Sequence, residues 1–121
     1  MLWNYDLIMD FVPVEHYEDL ADYLRLDKEV LEAFEDIRDL ARYLQSIDYK
    51  YMLHVFKWIS DLREYVEDLV IEYFLADLYN YPEELENYID ASAWLVDRVS
   101  AGDWVVLYVV DKGVYVIIER Y

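Results

Sequence analysis

Trp104-Val105-Val106-Leu107-Tyr108-Val109-Val110 and Val114-Tyr115-Val116-Ile117-Ile118, joined by Asp111-Lys112-Gly113, form the stretch that decides the fold. Two β-branched and aromatic runs around a short turn with a glycine spell a β-hairpin, in which Gly113 supplies the positive φ of a bulged turn. Both runs are apolar at odd and even positions alike. A hairpin with one solvated face would alternate, so this one is either sandwiched between layers or completed by another chain. Trp104, Val106, Tyr108, Tyr115 and Ile117 are accordingly the candidate self-association residues, and a homodimer is the expected assembly.

Upstream the pattern turns helical. Pro82 at a first helical position, followed by Glu83 and Glu84, opens a helical region over 82–100 that Gly102 ends, with Asp90 available to cap a separate second segment. Residues 49–79 lack Gly and Pro, and Met52, Val55, Ile59, Leu62, Val66, Leu69, Tyr73 and Ala76 step by three and four. One helix there would be about 46 Å long, so it either breaks near Ser60-Asp61 or overhangs the domain. Residues 28–47, capped by Asp27, present Val30, Ala33, Phe34, Ile37, Leu40, Ala41, Leu44 and Ile47 as one apolar stripe. Residues 14–26 place Tyr17, Leu20, Ala21 and Leu24 on one face. At 3–11 the odd positions Trp3, Tyr5, Leu7, Met9 and Phe11 are apolar, which predicts a strand that Pro13 ends and that joins the hairpin. The expectation is one α+β domain over 1–121, mostly helical, with four or five helices on a small antiparallel sheet.

The chain of 121 residues holds 27 Asp and Glu against 10 Lys and Arg, a net charge of −17. Residues 14–101 hold 22 of those acids and 8 of the cations, so −14 lies on the helical segments and only −1 on 102–121. Direct binding to nucleic acid or to an anionic membrane is excluded by repulsion. With 58% hydrophobic and 18% aromatic residues the charge does not imply disorder. There is no cysteine, hence no thiolate chemistry or disulfide. One Gln, no Thr and abundant Tyr, Val and Ile lean toward a hyperthermophilic host or its virus. The first residues read as neither signal nor transit peptide, and no run reaches the roughly 20 apolar residues of a span, so a cytoplasmic location is expected, the host cytoplasm if viral.

Catalytic and metal-binding residues are not singled out, and no cofactor is expected. His16 and His54 lack a second histidine at ligand spacing, though His16-Tyr17-Glu18-Asp19 gathers an imidazole and carboxylates. Asp111, Lys112 and Glu119 are the nearest approach to a carboxylate–lysine nuclease set, and Asp111 and Lys112 are more simply turn residues. What the charge does suggest is imitation of a nucleic acid. Carboxylates three or four positions apart on a helix stand about 5–6 Å from one another, close to a phosphate repeat. Glu15, Glu18, Asp22, Glu29, Glu32, Asp36 and Asp39 are therefore the candidate partner-binding residues, and the expected function is a non-catalytic protein that docks on a basic protein surface. A self-assembling structural or accessory protein and a carboxylate-dependent metal enzyme are the alternatives.

Overall fold

The computed structural model describes residues 1–7, 12–76, 78 and 80–120. It is α+β and mostly helical, built on a mixed four-stranded sheet of order β1-β3-β4-β2. The hairpin supplies the two central strands, β3 (Trp104–Val109) and β4 (Val114–Arg120), paired antiparallel with Tyr108 opposite Tyr115. Gly113 holds the turn at φ +63°. The strands β1 (Val12–Val14), parallel to β3, and β2 (Tyr51–Phe56), antiparallel to β4, form the edges.

Helices cover both faces, which explains why the hairpin is apolar all round. Val105, Leu107, Val109, Val114, Val116 and Ile118 face α1 (Leu20–Leu24), α2 (Lys28–Glu32) and α3 (Ile37–Ser46). Trp104, Val106, Tyr115 and Ile117 face α4 (Ile59–Leu75) and α5 (Ala91–Ser100), where Leu62, Val66, Val70, Ala91 and Leu95 complete a second core. The pleat thus sends alternate residues into two cores, and each buried aliphatic side chain is worth about 1.5–3 kcal/mol.

Four sequence expectations are corrected. The strand expected over 3–11 is not seen at 3–7: Leu2 forms a bridge with Asp90, and Tyr5–Leu7 is a 3-10 turn. Residues 8–11 lie outside the described residues. The strand that does join the sheet runs through Pro13, which an edge strand tolerates because one side needs no ladder donor. Its parallel pairing makes the sheet mixed rather than antiparallel.

The helix expected over 28–47 is two helices. Asp36 caps the second, its Oδ1 accepting from Arg38 N at 2.9 Å, and the break rotates Leu31 inward (0% exposed) while Ala33 faces solvent. Asp27 holds the expected cap position without a side-chain cap bond. Within 49–79 the first part is β2, not helix, and α4 begins at Ile59. Its 17 residues span about 25 Å, which removes the overhang. Downstream, Asp90 caps α5 as a separate segment, accepting from Ala93 N (3.0 Å) and from the buried Ser92 hydroxyl (2.6 Å).

Candidate protein-binding surface

The partner-binding carboxylates chosen from sequence all fall on the α1–α3 layer or its entry. Glu15, Asp22, Glu29, Glu32, Asp36 and Asp39 are exposed and Glu18 is half-buried. Asp39 pairs with Arg42 at 2.6 Å, and Asp36 is engaged by Arg38 N. Both partners of the Asp39–Arg42 pair are more than half exposed, so water screens it to a few tenths of a kcal/mol, about 0.3–0.5. Glu15, Asp22, Glu29 and Glu32 have no ion pair among the described residues. The break at 33–36 sets Glu29 and Glu32 on one helix and Asp36 and Asp39 at the start of another, so they do not form the single row expected.

A straighter row lies on the opposite layer. Asp61, Glu64, Asp68 and Glu72 are exposed along α4, and steps of three, four and four residues keep them within a narrow arc at axial rises of about 4.5, 6 and 6 Å. None has an ion pair among the described residues. Arg63, the cation within this stretch of α4, is turned aside: it pairs with Glu67, bonds Tyr5 Oη at 3.2 Å and lies 5.9 Å from the Trp3 ring. The helix expected over 49–79 already contains this spacing, so the sequence alone carries the signal for the row.

Two clefts flank the N-terminal half of α3. One of about 390 Å³ is lined by Glu35, Asp36, Arg38, Lys57, Lys112 and Gly113 among others, and Lys112 Nζ donates to Glu35 O across it at 2.9 Å. The other, about 300 Å³, runs along the free edge of β2 between Arg38, Arg42 and Tyr65. Beside it His54 Nε2 stands 2.9 Å from Glu119 Oε2 and 3.1 Å from Tyr65 Oη, which donates to Glu119 Oε1 at 3.3 Å. These three polar groups satisfy one another beneath α4. No spacing in the sequence could reveal them, because the β2–β4 register alone brings His54 near Glu119. Asp111 and Lys112 sit in the turn, about 17 Å of strand from Glu119, so the carboxylate–lysine set is not assembled.

Of the residues assigned to self-association, Trp104, Val106 and Ile117 are buried under α4 and α5 and offer no surface to a second chain. Tyr108 and Tyr115 are half-buried and pack on each other at 4.9 Å. Exposed aromatics lie elsewhere, among them Tyr73 and Phe74 on α4 (65% and 50% exposed), which border a groove with Trp94 and Arg98, whose guanidinium lies 5.4 Å from the Tyr73 ring and 5.1 Å from Trp94. No helix among the described residues is long and apolar enough to cross a membrane. No family model, no curated protein and no solved structure matches this chain.

Proposed function

We propose that this is a non-catalytic acidic protein that imitates a nucleic acid and occupies the basic groove of a nucleic-acid-binding protein in the cytoplasm. The observation that carries the reading is the α4 row, Asp61, Glu64, Asp68 and Glu72: unpaired carboxylates at a near-phosphate repeat on a helix whose other side is anchored in the core by Leu62, Val66 and Val70. Rigid charges lose little entropy on docking, which favours them over an acidic tail. The α1–α3 carboxylates add a second acidic face and a long-range field that steers a basic partner. The test is competition: the protein displaces labelled duplex DNA or RNA from a nucleic-acid-binding protein, and Asp61→Asn, Glu64→Gln, Asp68→Asn and Glu72→Gln together abolish that displacement. Displacement that survives the fourfold variant removes the α4 row from the reading.

Self-assembly is the second reading, and exposed Tyr73 and Phe74 beside Trp94 favour it over the hairpin as the contact. Light scattering decides it: a dimer that Phe74→Glu converts to monomer supports this surface, and a monomer at all concentrations rejects it.

A further inference from the structure

The hairpin turn meets the start of the α1 layer through a continuation of the β1–β3 ladder. Val110 N donates to Val14 O at 2.8 Å, Asp111 N to Glu15 O at 3.2 Å, and Tyr17 N to Asp111 Oδ2 at 3.0 Å. These bonds bring together side chains from distant parts of the chain: ligand atoms of His16, Glu18 and Asp111 lie within 4.8 Å of one another. Two carboxylates that close repel, and no Lys or Arg among the described residues pairs with them. Lys112, next in sequence, turns to Glu35 O and to the Tyr17 ring, 5.2 Å from its centroid. His16 and Glu18 have no side-chain hydrogen bond or ion pair among the described residues.

We infer that His16, Glu18 and Asp111 bind a divalent transition-metal ion of the zinc class, with water completing the shell. One imidazole nitrogen with two carboxylate oxygens suits zinc and its cobalt surrogate better than magnesium or calcium, which prefer oxygen alone. Donors about 2.0–2.2 Å from a tetrahedral ion stand about 3.3 Å apart, so the three ligands need to close by at most about 1.5 Å. His16 is exposed and has no side-chain bond among the described residues, so its ring can turn toward Asp111, which the Tyr17 N–H holds in place. The Tyr17 N–H already orients Asp111 from behind, as an outer partner of a ligating carboxylate does. The ion would clamp the hairpin turn to the entry of α1 and so stabilise the folded chain on binding.

Calorimetric titration with zinc chloride tests this in millimolar magnesium, which saturates diffuse cation sites on an acidic surface. The expected result is one equivalent of zinc. Cobalt is expected to give visible absorption bands typical of tetrahedral nitrogen and oxygen ligation. His16→Ala and Asp111→Asn are each expected to weaken binding about tenfold or more. Asparagine keeps the acceptor for Tyr17 N, so a loss in that variant reports the ligand rather than the fold. Glu84→Gln, an exposed carboxylate outside the cluster, is expected to leave affinity unchanged. Zinc heat that is absent, abolished by magnesium, or undiminished by His16→Ala overturns the assignment.

Discussion

Tyr17→Phe probes the packing between the hairpin turn and α1 with a change of one atom. Tyr17 is 5% exposed and its hydroxyl has no hydrogen-bond partner among the described residues, while Asp36 and Glu18 bear on it electrostatically. Burial first, then those two carboxylates, pushes its pKa from 10.0 up to about 12. An unsatisfied buried hydroxyl costs about 1–3 kcal/mol, so phenylalanine is expected to stabilise the protein by about 1 kcal/mol or more at pH 7. The pH dependence follows from linkage. The unfolded hydroxyl ionises near pH 10 and the folded one near 12, so the folded state keeps its proton longer. Stability is therefore full below pH 10 and falls as the pH rises through 10 to 12, by about 2–3 kcal/mol for a shift of that size. Phenylalanine removes this loss, and the other 13 of the 14 tyrosines are common to both proteins. Urea unfolding followed by circular dichroism at several pH values between 7 and 12 measures the gap. It is expected to widen at alkaline pH. A less stable Tyr17→Phe at pH 7, or a gap that stays constant to pH 12, refutes the buried, unpartnered hydroxyl.

Two further substitutions test the corrected elements by the same unfolding assay. Leu31→Ala is expected to cost about 2–5 kcal/mol, whereas Ala33→Glu is expected to be nearly neutral; a continuous helix over 28–47 would reverse that order. Asp90→Ala removes the α5 cap and the partner of Ser92, at a cost of about 1–2 kcal/mol. The Ser92 hydroxyl, with backbone donors from Ala93 and Ser92, lowers the Asp90 pKa below its ordinary value. Its contribution is thus present above the usual carboxylate range and lost as the pH falls through the folded-state value, so the gap between wild type and Asp90→Ala closes in acid.

The hairpin and the cap at Asp90 were legible because each is written in a local code: a turn glycine between β-branched runs, and an acid one residue before a helical stretch. The inward side of residues 17–24 was legible too, since Tyr17, in a 3-10 turn, and Leu20, Ala21 and Leu24, on α1, are all buried as the spacing requires. β2 was not, because Tyr51, Leu53 and Val55 enter one core while Met52, His54 and Phe56 turn to the other side of the sheet. Apolar residues on both faces erase the period of two, and Met52, Val55, Ile59 and Leu62 then imitate a helix. The division of 28–47 hides for a different reason: Val30, Ala33, Phe34 and Ile37 keep the spacing of one continuous stripe, and Asp36 is as ordinary on a helix surface as at a cap. The α4 row, by contrast, is written in the sequence, because Asp61, Glu64, Asp68 and Glu72 keep their spacing in any helix over these residues. The His54–Glu119–Tyr65 cluster comes from the β2–β4 register and from α4 laying Tyr65 over it.

The most direct test of nucleic-acid mimicry is low-salt capture of host proteins on the immobilised chain, followed by elution with duplex DNA or RNA. Mimicry predicts that basic nucleic-acid-binding proteins are retained, that nucleic acid releases them, that retention falls steeply with salt, and that the Asp61, Glu64, Asp68 and Glu72 neutral variant retains none. If no basic protein is held at low salt, or if the proteins held are indifferent to DNA and RNA, the acidic faces do not imitate a nucleic acid.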